Sequence, residues 1–376
     1  MRAWTFQDSR QKKKLGDKAP WSVGWFDPNG KKRSKRVGSK SMAEKLRRKR
    51  EGELAAGLYR NESHKSWRDF RREFEERILP ALAPKTREAY TMVLNHFERI
   101  CKPQKVAAIK TPTIDEFTAH RQRDPGRKVG SLLSPASVNH DLRHLKAALR
   151  IAHEWEYLPV VPKFRKVLES EQIGPVITED HFQAVYEACD VATMPKGLHC
   201  EAAEWWRGVL VFAITTGWRI EEILCFRRED LDLETGAILT RASDNKGNRD
   251  DMDYLADIAL KHVKAVIGFH PGVFHWTHNM TTLRAQFHRI QIAAGIHLPC
   301  RDPRKHECSD ACHLYGFHAL RRGYATMNCD TMSSAVLQKK MRHKSFETTL
   351  RYISLAGKMK KAADAVHVPG FLKKQA

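Results

Sequence analysis

Two histidines, an arginine and a tyrosine share one stretch of this chain, residues 316–352. His318 and Arg321 stand three residues apart, His343 follows, and Tyr352 comes nine residues after it. A guanidinium can hold a phosphate, an imidazole can carry a proton or donate a hydrogen bond, and a phenol oxygen can attack phosphorus. No Ser-His-Asp order and no phosphate-cradling glycine-rich loop competes with this set. What it still needs is a second arginine for the phosphate, an acid for the leaving group and a way to hold the molecule that carries the phosphate.

The elements around it must supply these. Thr178 can cap a helix through His181 and Phe182, and Trp205 to Thr216 reads as a strongly apolar helix that ends at Gly217. The next helix begins around Arg219-Ile220-Glu221-Glu222, which places Arg219 at a helix mouth. Amide groups there already favour an anion, and a guanidinium adds a two-pronged clamp. DLDLETGAILT (230–240) has a strand–turn–strand rhythm, and Gly247-Asn248 makes a further tight turn. Helices return at 257–267 and 281–294. Tyr254, Tyr315 and Tyr324 read as packing residues, and Arg322 as structural or as a contact to a backbone phosphate.

Ahead of this region, residues 62–162 read as a helical bundle. Ser66 caps a helix with Trp67, Phe70, Phe74 and Ile78 on one face, and Thr86 opens a second. Thr113 caps a third, and Ser134-Pro135 starts a fourth, with a core stripe at Val138, Leu142, Leu145, Leu149 and Ala152. Asn139, His140, Arg143 and Lys146 fall on its other faces. Residues 163–175 read as a linker. In residues 1–60, Trp21, Val23 and Trp25 alternate as a strand, Asp27-Pro28-Asn29-Gly30 turns, and KKRSKRV returns as a basic strand. Ser41 and Glu44 suit a capping box for a helix to about Leu58. The expected fold is therefore mainly α with small β-sheets: a basic β-sheet-plus-helix DNA-binding module (1–60), a helical domain (62–162), a linker (163–175) and a mixed α/β domain (176–376).

Composition narrows the partner. The 376 residues carry 66 Lys and Arg against 44 Asp and Glu, a net charge of +22. Residues 1–60 hold 18 basic and 6 acidic residues, over half of that excess. So large an imbalance repels itself unless a polyanion is present, and nucleic acid is the usual one. No apolar run approaches the roughly 20 residues of a membrane span, and the N-terminus lacks the pattern of a secretory signal. A cytoplasmic, nucleoid-associated protein of a bacterial cell is expected. Eight scattered cysteines suit a reducing compartment.

Set side by side, these features resemble the tyrosine recombinase (phage integrase) family. The family's TG-x-R-x-x-E-x-x-x-L segment is matched from Thr216 to Leu224, with small shifts in the apolar positions. Its hairpin lysine, often KGN, is matched by Lys246-Gly247-Asn248. Its H-x-x-R is matched by His318 and Arg321, and its His-to-Tyr spacing by His343, Thr348-Thr349 and Tyr352. The match spans about residues 176–365, with the helical region similar to the family's core-binding (SAM-like) domain and the basic module to its arm-site-binding domain.

The resemblance implies a site-specific recombinase that integrates or excises a mobile element through a 3′-phosphotyrosyl intermediate. Tyr352 would be the nucleophile, Arg219 and Arg321 the phosphate clamp, His318 the proton carrier, His343 a hydrogen-bond donor and Lys246 the acid for the 5′-oxygen. Arg249 and Lys261 lie close enough in sequence to compete with Lys246. No metal is required, because the guanidiniums supply the positive charge. The implied partners are duplex attachment sites, three further copies of the chain in a tetramer on DNA, and accessory DNA-bending or directionality proteins, with no membrane. Leu355, Met359, Ala363 and Val366 could dock on a neighbouring protomer. Two other readings use the same residues: a type IB topoisomerase-like relaxing enzyme, and a catalytically inactive DNA-binding relative.

One cluster stands apart from that pattern. Cys300, His306, Cys308, Cys312 and His313 are dense enough to bind zinc, yet seven and then three residues separate the cysteines, which is not the spacing of a finger or ribbon. A structural zinc bracing the loop before His318 and plain thiols in a basic loop both fit.

Overall fold

Strand-forming residues open the chain. In the computed structural model, which describes residues 3–28, 30–57, 64–170, 174–244, 250–300, 303–343, 345–347 and 349, Ala3–Gln7 forms β1. The short helix α1 (Ser9–Leu15) follows, capped by the Asp8 carboxylate, which accepts from the Arg10 and Gln11 amides. Trp21–Phe26 (β2) and Lys32–Gly38 (β3) complete an antiparallel sheet in the order β1-β2-β3. The sheet thus has one strand more than the sequence reading gave. β1 buries Ala3, and its Trp4 lies flat across Gly24, where a Cβ would stand 2.6 Å from the ring. Helix α2 (Lys40–Ala55) is capped by Ser39, which accepts from the Met42 amide, and not by Ser41. Glu44 instead accepts from the Thr5 hydroxyl and from Arg47, tying the helix to β1. Val23, Trp25, Ala43 and Leu54 form a small core, while Lys32, Lys35 and Arg36 on β3 are exposed.

Four helices follow: α3 (Trp67–Arg77), α4 (Pro84–Cys101), α5 (Thr111–Arg121) and α6 (Pro135–Glu154). Ser66 and Ser134 accept from the amides of Asp69 and Ser137, so each caps its helix. Helix α4 starts earlier than Thr86, because Pro84 has the φ a first helical turn needs and no amide to leave unpaired. Helix α5 likewise starts at Thr111, and Thr113 sits inside its first turn. Phe70, Phe74, Phe97 and Phe117 are fully buried with Leu145 and Leu149 in a core separate from that of the sheet. Asn139 corrects its expected outward placement: it is buried, and its amide accepts from the Val167 N–H (2.9 Å) and donates to the Val167 carbonyl (2.8 Å). Together with the Lys163 amide donating to Thr111 and the Arg165–Asp115 ion pair, this holds residues 163–167 to the bundle. The boundary between the two compact units falls between Ser170 and Glu171.

The second unit is built around one helix. Helix α7 (Glu179–Glu187), capped by Thr178, precedes α8 (Ala202–Thr216), which is apolar on nearly every side and is buried accordingly. Then come α9 (Ile220–Leu224), β4 (Ala237–Thr240), β5 (Asp251–Tyr254), α10 (Asp257–Val266), α11 (Met280–Ala293), α12 (His318–Asn328) and α13 (Ser334–Lys340). Gly208 lets Val266 and Phe274 close on α8, since a Cβ there would meet both at 3.2 Å. Trp206 of α8 lies parallel to Phe287 of α11 and to Phe317, with centroids at 6.1 and 6.3 Å, and Phe287 stacks on Phe317 at 4.5 Å. That stack fixes the residue just before His318. A second cluster (Tyr324, Ala325, Cys329, Leu337, Met341) packs α12 with α13.

Two expectations are corrected in this unit. The first half of DLDLETGAILT is a 3-10 turn and an Asp232-centred loop, with Leu231 reduced to a single bridge to Ile238. The true partner of β4 is β5, paired antiparallel from Ala237↔Tyr254 to Thr240↔Asp251. Tyr254 is 63% exposed and packs little, whereas Tyr315 and Tyr324 are buried. Among the described residues, no helix is long and apolar enough to cross a membrane.

Candidate active site

Gly217 sets the direction of the first arginine. It ends α8 at φ 67°, and a Cβ on it would lie 2.4 Å from the Tyr324 ring, so glycine alone suits both the turn and the close approach. Two residues later Arg219 stands at the N-cap of α9. Its amide donates to Glu222 Oε2 (3.1 Å) and its Nη1 to Glu222 Oε1 (2.8 Å), with the side chain 33% exposed. The Glu222 carboxylate is buried and also accepts from Arg342 Nη2 at 2.5 Å. Arg342 donates its Nη1 to Thr240 Oγ1 on β4 (2.7 Å) and lies over the Trp218 ring at 4.4 Å. Two guanidiniums therefore share one carboxylate, which leaves net positive charge where Arg219 meets solvent.

Arg321, one turn into α12, is 1% exposed. Its Nη1 donates to the Gly217 carbonyl (2.6 Å) and its Nη2 to the Met341 carbonyl. Carbonyls orient a guanidinium through their dipoles without cancelling its charge. Arg322 next to it points elsewhere: it donates to the Pro175 carbonyl and lies against Gly174, where a Cβ would be 2.1 Å from its Cζ.

The two imidazoles respond to these cations. His343 is buried, and its Nδ1 is 3.0 Å from Thr349 Oγ1. Loss of water around its ring, then the charges of Arg321 and Arg219 and the proximity of His318, hold its pKa down to about 3. His318 at the start of α12 is pushed down to about 4, by loss of water first and then by Arg322, Arg321 and Arg219. His318 keeps an exposed edge, so solvent tempers the first effect more than the second. Both rings are neutral at pH 7. Arg219 and Arg321 act on both of them, so four of the six residues picked out by spacing converge on one place. Lys246 and Tyr352 lie outside the described residues; β4 and β5 flank the segment that contains Lys246.

A sequence model of the phage integrase family matches residues 175–359. The chain thus carries a domain of this family, the tyrosine recombinases. As a member it is a tyrosine-type site-specific recombinase. Comparison with curated protein sequences gave no match. Among solved structures, the chain is similar to a lambda integrase tetramer bound to a Holliday junction (17% identity, TM-score 0.57, covering 93% of this chain and 94% of that one). It is also similar to a lambda integrase (75–356) dimer bound to a COC′ core site (18%, 0.57, 77% and 95%). A third similar structure is the Tn1549 transposon integrase with circular intermediate DNA (16%, 0.55, 79% and 98%). At these identities the likeness is one of fold.

Three residues of this recombinase matter to the site but escaped the sequence reading. In sequence Glu222 is only part of a motif, and nothing there tells that its carboxylate serves two arginines. Arg342 looks like one more basic residue in a basic run, and only its position beside His343 hints at a role. Thr349 stands in sequence as half of a Thr-Thr pair, with no sign of the hydrogen bond that fixes the His343 ring.

Proposed function

We propose that this recombinase cuts and rejoins duplex DNA at specific sites through a 3′-phosphotyrosyl intermediate, to integrate or excise a mobile element. The observation that carries the reading is the convergence of Arg219, Arg321, His318 and His343, two cations with two neutral imidazoles. That set suits a phosphodiester whose non-bridging oxygens gain charge as a fifth ligand approaches phosphorus. The phenol oxygen of Tyr352 attacks phosphorus and the bond to the 5′-oxygen breaks. His318 takes the phenol proton, Lys246 protonates the departing oxygen, and Arg219 and Arg321 clamp the non-bridging oxygens.

His343 fits the donor role by its tautomer. If Nδ1 accepts from the Thr349 hydroxyl, Nε2 carries the proton and donates it to a phosphate oxygen. A pKa near 4 makes His318 a weak base in the free protein. Part of that depression comes from arginine charges, and a bound phosphate offsets them, so substrate strengthens the base it needs.

Residues 1–60 and 62–162 are assigned to DNA binding, the first through the exposed basic face of β3, and the assembly on DNA is a tetramer, as in the lambda integrase Holliday-junction structure. Duplexes selected by the full-length protein from a random pool, rebuilt as nicked suicide substrates, should trap a covalent protein–DNA complex at Tyr352. Tyr352→Phe should form none. A covalent complex with the phenylalanine variant would overturn the assignment.

A further inference from the structure

Just ahead of α12 the chain makes a loop that closes on itself at the base. The Leu298 amide donates to the His313 carbonyl (2.7 Å), and His313 Nδ1 donates to the Leu298 carbonyl (2.7 Å). Within that loop, ligand atoms of Cys300, His306, Cys308 and Cys312 all lie within 4.8 Å of one another. His306 Nε2 is 3.6 Å from Cys300 Sγ, 3.3 Å from Cys312 Sγ and 3.8 Å from Cys308 Sγ.

Hydrogen bonding does not account for three sulfurs around one nitrogen. Neutral imidazole Nε2 has one lone pair or one proton, not both, and a thiol is a weak partner in either role. A shared cation does account for it. Zinc binds thiolate sulfur at about 2.3 Å and imidazole nitrogen at about 2.0–2.1 Å in a tetrahedron, which puts sulfur and nitrogen ligands about 3.6 Å apart. The three separations bracket that value. Cys300, Cys308 and Cys312 are not in disulfides, and His313, the other histidine of the loop, is committed to Leu298.

The geometry points to a structural zinc site of three thiolates and one imidazole, built from Cys300, His306, Cys308 and Cys312. Four protein ligands fill the tetrahedron and leave no position for water or substrate, so the ion braces and does not catalyse. Three thiolates and a divalent ion leave one negative charge, and the neighbouring Arg304 and Lys305 offset it. Ser309 Oγ, 3.9 Å from Cys312 Sγ, is placed to donate to a thiolate. The ion closes the far end of a loop whose near end is the Leu298–His313 pair. Two residues on, Tyr315 is locked by Gln291 through both its amide (2.7 Å) and its carbonyl (3.0 Å). Phe317 and His318 come next, so the metal stiffens the stretch that leads into the active-site helix. The site stands or falls independently of the recombination reading.

Full-length protein purified under reductant, without chelator or added metal, should carry about one equivalent of zinc. Cys312→Ser should lose it while keeping its far-UV helical signal. Should that variant misfold, His306→Asn serves in its place, and a loss of at least tenfold in zinc affinity is expected from either. Cobalt(II) added to the metal-stripped wild type should give thiolate-to-metal absorption and the intense visible bands of a tetrahedral ion. Less than half an equivalent of zinc together with no cobalt spectrum would overturn the proposal. So would undiminished zinc in both variants, or disulfides among these cysteines in freshly reduced protein.

Discussion

The active site takes in the start of α12 and the Cys/His loop precedes that helix in the chain, and they handle concentrated chemistry in opposite ways. In the first, cations crowd together and the protein itself holds them: a carboxylate shared by Arg219 and Arg342, and two carbonyls that receive Arg321. In the second, three sulfurs gather around one nitrogen, in the arrangement for which a shared ion is proposed above. Pre-built positive charge is what a site needs to receive an anionic substrate without reorganising.

That contrast can be broken most severely at Arg321. Arg321→Ala removes a proposed phosphate ligand and strands two carbonyls, so covalent-complex formation should fall on the order of 10³-fold, and chemical unfolding should show a loss of roughly 2–4 kcal/mol. A drop in cleavage of less than tenfold would mean that the guanidinium only holds the fold. Arg342→Met should be milder. It leaves Glu222 to Arg219 alone and breaks a buried pair, at a cost of about 3 kcal/mol in urea titration, with cleavage reduced about tenfold through misplacement of Arg219. Unchanged stability would show that the shared carboxylate contributes nothing.

Acidification is the gentlest probe. The pKa values of His318 and His343 fall to about 4 and about 3 in the folded protein, below the ordinary 6.5. The unfolded chain therefore takes up these protons first. Their contribution is intact above about pH 6.5 and is lost as pH falls from 6.5 toward 4. Urea titrations at pH 7 and pH 5 should differ by on the order of 1 kcal/mol per histidine, with the smaller share from the more exposed His318. His343→Gln should flatten part of that slope, and an unaltered slope would deny its buried, neutral state.

How much of this was legible depended on whether the deciding interaction was local. α8 could be read because its apolar run admits no exposed face, and Gly217 because a helix end announces itself. Ser66 and Ser134 cap through contacts three residues away and were placed correctly. Ser39 lost to Ser41 in the reading because the choice depends on where the sheet delivers the chain. Asn139 looks like a surface residue until residues 163–167 are seen against it, and β1 is held by Trp4 meeting a glycine twenty positions on. At the active site, residue types and spacing picked out Arg219, His318, Arg321 and His343. The Glu222–Arg342 link joins residues 120 apart and carries no periodicity to betray it.

Three adjacent residues, Met341, Arg342 and His343, each reach a different part of the site. One offers its carbonyl to Arg321, the next its guanidinium to the carboxylate that holds Arg219, and the third its imidazole. Arg342 makes the bend with φ 51°, a left-handed conformation that disfavours side chains. A displacement of this one bend would therefore shift the supports of both arginines and the His343 ring in a single stroke.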